Sequence, residues 1–255
     1  MVSPKRMPIF HTSIDEIAGN RPLTDKCIVL DLDETCVHTF TEPMERIAEL
    51  GLYTNPEFMD LRRRIYMLNV DDVCCGDKRG QGKQYELWGV MRPHLKEFLL
   101  FCFSYFRIVA VWSAGQPKYV EAICDVIFRD IRPPHVIFAY HDCKFSGDEI
   151  EKPLQKMIDS DPVLQRYMSL SNTLALDDRA STFRNVNPDN GIVIPPYHPA
   201  ALVDSMLTDD IALEQLRRWF MQREVQTIAD VRDLVKTDIF LTPLNQPERI
   251  GVNHW

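Results

Sequence analysis

The chain has no CxxC pair, no internal repeat, no excess of positive charge and no apolar run long enough to cross a bilayer, and each absence excludes something. Its seven cysteines (Cys27, Cys36, Cys74, Cys75, Cys102, Cys124, Cys143) are odd in number and sit mostly in apolar stretches. They read as reduced, buried thiols of a soluble nuclear or cytoplasmic protein rather than a disulfide framework. Cys74 and Cys75 are adjacent, but no second Cys/His pair stands at zinc spacing. The longest apolar stretch, around Phe98 to Phe106, is interrupted by Ser104, and the opening MVSPKRMPIFHTS lacks a signal-like apolar core. No membrane association is expected. With 37 acidic against 29 basic residues and a formal charge of -8, a protein that coats duplex nucleic acid is disfavoured, because such proteins neutralise phosphates with Lys and Arg. The absence of repeats excludes a solenoid. What remains is 255 residues, 45% hydrophobic and 26% charged, enough to bury a substantial core in one large domain or two small ones.

Short β-rich runs alternate with helical periodicity, the pattern of an α/β fold with a parallel sheet flanked by helices. Strands are expected at Lys26–Leu30, Arg107–Trp112, Val136–Tyr140, Leu174–Leu176 and Gly191–Ile194. Pro93, Pro117 and Pro153 each open a helical stretch, where the missing proline N–H is harmless. Thr208, Asp209 and Asp210 suggest an N-cap and acidic first turn before Leu213, Leu216 and Phe220. Ile228, Val231, Leu234 and Val235 suggest one more helix. Residues 41–91 break the alternation. TEPMERIAELG and PEFMDLRRR read as short helices, and RIYMLNV and QYELWGVM as two strands around the Gly-rich turn DKRGQGK. Inserted after the first strand, this segment would lie over the C-terminal edge of the sheet, where ligands bind in such folds. It is expected to be a small β-containing cap.

The chemistry concentrates at strand ends. Asp31-Leu32-Asp33-Glu34-Thr35 follows the first strand directly, so two carboxylates from one loop can reach a common pocket. Such a pair needs a cation or fixed donors to offset its charge. Ser113 follows the second strand; alone, a serine there is an ordinary cap. Lys152 stands just before a helix, where the dipole disfavours a cation, which suggests that an anion wants its ammonium. Asp177 and Asp178 close the fourth strand and offer the hard oxygen donors that Mg²⁺ takes.

In that order, DxDxT, Ser, Lys and Asp-Asp form a pattern that resembles the haloacid-dehalogenase superfamily of phosphohydrolases. More narrowly, DLDET followed by Val37-His38 resembles the phosphatases of the RNA polymerase II C-terminal domain, the NLI-interacting-factor-like type. Glu34 separates it from members that carry glycine there. The resemblance continues at Met91-Arg92-Pro93-His94, Ser113-Ala114, Lys118-Tyr119, Lys152 and Leu176-Asp177-Asp178-Arg179. It implies a Rossmann-like parallel sheet and a phosphatase domain over about 24–235, between an N-terminal extension (1–23) and a C-terminal tail (236–255). It also implies roles. Asp31 would be the nucleophile and Asp33 the general acid and base. Mg²⁺ would be held by Asp31, the Asp33 carbonyl and Asp178, with Asp177 orienting them. Ser113 and Lys152 would hold phosphoryl oxygens. Thr35 belongs to the same phosphate-binding loop, more as a loop-fixing hydroxyl than as a reactant. Candidates for substrate contact are Tyr119 and Arg92, with Tyr66, Tyr85 and Trp88 from the insertion, although each aromatic taken alone reads as packing.

The sequence also departs from the family pattern. Cys36 replaces a usual leucine, the stretch from Lys152 to Asp177 is long, with DSDPVLQRY as the insertion, and Tyr140 stands where relatives carry an arginine. The expected activity is Mg²⁺-dependent hydrolysis of phosphoserine or phosphothreonine in a phosphorylated protein, such as the RNA polymerase II C-terminal domain. A phosphatase for small molecules or nucleic-acid ends, and a non-catalytic phosphopeptide-binding adaptor, stay open beside it. Residues 61–92 carry seven basic and four acidic side chains, a local excess that would draw a phosphopeptide towards the insertion.

Overall fold

The structure, a computed structural model, describes residues 14–19, 21–71 and 83–241. Cys74, Cys75, most of the expected Gly-rich turn with Lys78 and Arg79, and the outer parts of both terminal extensions lie outside the described residues. Among the described residues there are ten strands: β1 (Cys27–Leu30), β2 (Val37–Phe40), β3 (Ile65–Asp71), β4 (Gln84–Met91), β5 (Ile108–Trp112), β6 (Val136–Phe138), β7 (Lys144–Ser146), β8 (Glu149–Glu151), β9 (Thr173–Asp177) and β10 (Gly191–Val193).

Five of them form a parallel sheet in the order β10-β9-β1-β5-β6. These are the five strands expected from the sequence, with ends shifted by a residue or two. The central strand β1 is apolar throughout because both faces are covered, as parallel sheets require. Its period of two divides the core: Ile28 and Leu30 pack with helices Leu95–Tyr105, Pro117–Ile127 and Ala212–Phe220, while Cys27 and Val29 pack with Leu154, Met157, Leu164 and Met168. From β1 the chain runs out to β5 and β6 on one side, then returns to β9 and β10 on the other. The carboxyl end of β1 is therefore the switch point of the sheet, the place where ligands bind in folds of this kind.

The insertion is a second layer. β2, β4 and β3 pair antiparallel in that order, with Ile65–Asp71 opposite Val90–Gln84. On β3, Tyr66, Leu68 and Val70 face the main core, and Met67 and Asn69 face outwards. Trp88 and Val90 of β4 face a satellite core with Phe40, Ile47, Leu52 and Leu61, built by the two expected short helices, Glu45–Glu49 and Met59–Arg64. β2, unread in the sequence because its four residues abut the DLDET motif, ties this layer to the Asp31–Thr35 loop.

Three expectations are corrected. Val136–Tyr140 ends as a strand at Phe138, and Tyr140 begins a 3-10 turn. Thr208 does not cap the following helix; it closes the preceding Val203–Leu207 helix by donating to the Asp204 carbonyl, while Asp210 accepts from the Ala212 N–H. The helix expected from Ile228, Val231, Leu234 and Val235 does not form: a short helix, Arg223–Thr227, ends before it, and only a 3-10 turn at Val231–Asp233 falls within that stretch. There the Asp230 carboxylate takes the Arg232 N–H, and the Val231 N–H goes to the Ser171 carbonyl instead of extending a helix.

Candidate active site

The chain leaves β1 through a tight loop. The Leu32 carbonyl accepts the N–H groups of Thr35, Cys36 and Val37, and the Glu34 N–H goes to Val37. Closing this loop puts Glu34 in the left-handed region, φ 60°, which disfavours a residue with a Cβ. Leu32 and Cys36 are buried, and the Asp31 N–H is fixed on the Leu176 carbonyl of β9. Asp31 and Asp33 thus leave the loop towards different neighbours.

Asp31 meets charge. Lys152 Nζ lies 2.6 Å from Asp31 Oδ1 and 2.7 Å from Asp177 Oδ2. Its backbone N–H is held by the Thr182 carbonyl at 2.6 Å. Burial pushes the Asp31 carboxyl up to about 7; Lys152 pulls against this shift, and Asp177 and Asp33 add to it. Burial also opposes the Lys152 charge, but Asp31 and Asp177 outweigh it and hold the ammonium above the usual lysine range. Asp31, Asp177 and Asp178 offer carboxylate oxygens within 4.8 Å of one another. An all-oxygen, acidic donor set of this kind fits a hard divalent cation. Asp177 also accepts the Arg179 N–H through Oδ1, so both of its oxygens are engaged. Asp31 and Asp178 are left as the carboxylates most open to an ion.

Asp33 meets hydroxyls. Tyr119 donates to its Oδ1 in a short hydrogen bond, and Ser113 Oγ lies 3.4 Å from Oδ2. Burial raises the Asp33 carboxyl, opposed by the Tyr119 hydrogen bond. The Asp33 side chain stands outside the three-carboxylate cluster, so only its backbone carbonyl is left for the metal role expected of it. Tyr119 continues to Thr39 Oγ1 at 2.6 Å, and Thr39 to Tyr66 OH at 2.6 Å, a chain that reaches from the loop into β3. Sequence reading missed Thr39, which no motif marks.

Ser113 Oγ also accepts the Gly115 N–H. Thr35 is fully buried and takes the Asp178 N–H on Oγ1, tying the loop after β1 to the loop after β9. The candidate substrate residues divide. Trp88 is buried, with Nε1 on the Glu42 carbonyl. Arg92 has no exposed surface; it binds Asp210 through Nε and Nη2, Thr35 through its carbonyl, and the Pro195 carbonyl. Both act inside the fold, because a side chain with no exposed atoms cannot meet a peptide. Tyr66 is buried as well, Tyr85 is half-buried with Lys83 over its ring, and Tyr119 faces Asp33. The expected basic surface shrinks accordingly: Arg62 and Arg64 donate to backbone carbonyls of the insertion and its neighbours.

A second group gathers on the other side of the loop. Glu34 accepts from His38 Nδ1 at 2.9 Å and from His198 Nδ1 at 2.8 Å. These hydrogen bonds outweigh burial and hold the Glu34 carboxyl below its ordinary range. His38 stands four residues after Glu34, a spacing visible in the sequence; His198 comes from a proline-rich loop far along the chain and carries no such signal.

A β10-β9-β1-β5-β6 sheet with a DxDxT loop at the end of its central strand, and a lysine and an acidic pair converging on it, defines a fold of the haloacid-dehalogenase type. Within that class the sequence profile of the NLI interacting factor-like phosphatases matches residues 26–232, and the chain belongs to this family. Among curated proteins it is 22% identical over 186 residues to an uncharacterized protein of Schizosaccharomyces pombe, covering 70% of this chain and 45% of that one. It is also 22% identical over 172 residues to CTD small phosphatase-like protein 1 of Caenorhabditis elegans, covering 68% of this chain and 28% of that one. The chain thus spans less than half the length of either relative. Two structures of the RNA polymerase II CTD phosphatase Fcp1 share the fold: the fission yeast enzyme bound to beryllium fluoride (TM-score 0.53, 18% identity, 81% of this chain and 51% of that one) and a second (TM-score 0.54, 16% identity, 81% and 49%). Among the described residues, no helix is long and apolar enough to cross a membrane.

Proposed function

We propose that the protein is a Mg²⁺-dependent phosphatase of phosphoserine and phosphothreonine in proteins, acting through an aspartyl-phosphate on Asp31. The observation that carries this reading is the division of labour within one loop. Asp31 lies against a lysine and two further aspartates, whereas Asp33, two residues on, is held by neutral hydroxyls; burial raises both carboxyls. Two carboxylates in unlike environments are what separate nucleophilic and acid/base roles require. Asp31 attacks phosphorus, and the new P–O bond forms as the bond to the serine or threonine oxygen breaks. Asp33 gives that oxygen its proton, then takes one from the water that hydrolyses the acyl phosphate. Lys152 and Ser113 hold the phosphoryl oxygens while charge redistributes. A divalent ion would be held by Asp31 and Asp178, with the Asp33 carbonyl, and would supply compensation for the charge of the carboxylates and the phosphoryl group.

Family membership and the likeness to CTD phosphatases favour a phosphorylated peptide of the RNA polymerase II C-terminal-domain kind as substrate. The test is a panel of such peptides, phosphorylated singly at each serine, assayed beside sugar phosphates, nucleotides and phosphorylated nucleic-acid ends. Mg²⁺-dependent release with kcat/KM highest on a peptide supports the reading. Equal or faster turnover of the small phosphates points to the small-molecule alternative, and no turnover with bound peptide points to an adaptor.

A further inference from the structure

Beside the three-aspartate cluster lies a donor set of another kind. Glu34, His38 and His198 each offer one ligand atom, and these atoms lie within 4.8 Å of one another. We propose that they form a second cation site, selective for a borderline divalent ion of the Zn²⁺ class over Mg²⁺. The inference does not depend on the phosphatase reading, since it concerns binding at residues to which no step of hydrolysis is assigned.

Three observations carry it. The first is chemical: two imidazoles and one carboxylate are a common zinc set, whereas the neighbouring aspartates offer only hard oxygens. The second is geometric. Both histidines present Nδ1 to the same carboxylate, His38 at 2.9 Å from Oε1 and His198 at 2.8 Å from Oε2, with ring centroids 4.4 Å apart. Donors around a tetrahedral zinc stand roughly 3.3 Å apart, so an ion requires each Glu34–histidine pair to open slightly and each Nδ1 to release the proton it gives the carboxylate. The third is that the set is built on fixed backbone. His38 is buried on β2, next to Phe40. The loop bearing His198 is anchored ahead of the histidine by the Tyr197 N–H to the Glu34 carbonyl, by Arg92 to the Pro195 carbonyl and by Arg64 to the Tyr197 hydroxyl, and after it by Arg46 to the Ala201 carbonyl. His198 itself is 72% exposed, which leaves a solvent path and room for a fourth ligand. An ion there would bolt the 195–202 loop onto the loop that carries Asp31 and Asp33.

The test uses Co²⁺ as a visible probe in the full chain carrying Asp178→Asn, which disables the aspartate cluster. The site predicts uptake of one Co²⁺ with the intense absorption of a tetrahedral ion, displaced by stoichiometric Zn²⁺ and not by millimolar Mg²⁺. Adding His198→Ala should weaken binding by at least ~100-fold, because the exposed side chain is a direct ligand. His198→Gln provides a second variant should the alanine protein melt early. Tetrahedral absorption that persists with unchanged affinity in either His198 variant would place the ion elsewhere and overturn the proposal. No Co²⁺ uptake at millimolar concentration would also overturn it, leaving the three side chains as a hydrogen-bonded group alone.

Discussion

Asp31 and Asp33 are the same residue type two positions apart, and their neighbours make them chemically different. Asp31 lies in a field of charge, with Lys152 holding it to Asp177, and burial lifts its carboxyl to about 7. Asp178 is raised too, by burial and by Asp177. A divalent ion takes carboxylates, not carboxylic acids, so its uptake must displace the protons that these raised values retain. As pH rises through about 7, Asp31 ionises in the free protein; Mg²⁺ affinity should therefore rise towards that pH and level off above it. Titration calorimetry in two buffers of different protonation enthalpy should read up to about one proton released per ion on the acid side. An affinity that stays flat from about pH 5.5 to 8 would mean that the ion displaces no proton from Asp31 or Asp178. Glu34 shows what residue identity adds to a backbone position: its left-handed conformation would suit glycine, yet its carboxylate is kept on two histidines. The Glu34–His38 pair was not read from the sequence although its spacing stands there; His198 leaves no such mark, because only the loop after β10 brings it near.

At the scale of elements, the strands that carry the site were legible because burial on both faces leaves near-continuous apolar runs, as in CIVL and IVAVW. The insertion was legible as helices followed by two strands, but its joining strand β2 and the β7–β8 hairpin were not. Both are too short for a period to show. The three-stranded sheet depends on Gly89. A Cβ there would meet the His38 carbonyl at 2.3 Å and the Tyr66 ring and hydroxyl at 2.3–2.4 Å. The first neighbour is backbone and the second a buried ring, so neither can move freely. Gly89→Ala should therefore destabilise the protein by about 1–3 kcal/mol, typical of overpacking. For a chain of this size that lowers the melting temperature by roughly 2–12 °C. It should also displace Tyr66 from Thr39 and loosen the hydroxyl chain to Asp33. Thermal unfolding followed by circular dichroism checks the first effect, and an unchanged melting temperature would mean that β2 and β4 are not packed as described.

For the whole molecule, the net charge of -8 says less than its distribution. The basic excess counted along residues 61–92 does not become a basic face of equal size, because Arg62, Arg64 and Arg92 bind carbonyls and Asp210 within the protein. The sequence count could not separate an arginine that holds two layers together from one that meets solvent. Arg92 does the former: it joins the loop after β1, the loop after β10 and the start of the Ala212–Phe220 helix, all around the switch point of the sheet. The molecule is thus arranged about the end of β1, and its proposed chemistry depends on one atom group there. The most direct measurement is Mg²⁺-dependent phosphate release from an aryl phosphate by Asp31→Asn beside the wild type, with thermal unfolding of both. A nucleophilic Asp31 requires a rate at least ~10³-fold lower in a protein that still folds. A folded variant that hydrolyses the substrate within about tenfold of the wild-type rate would contradict it.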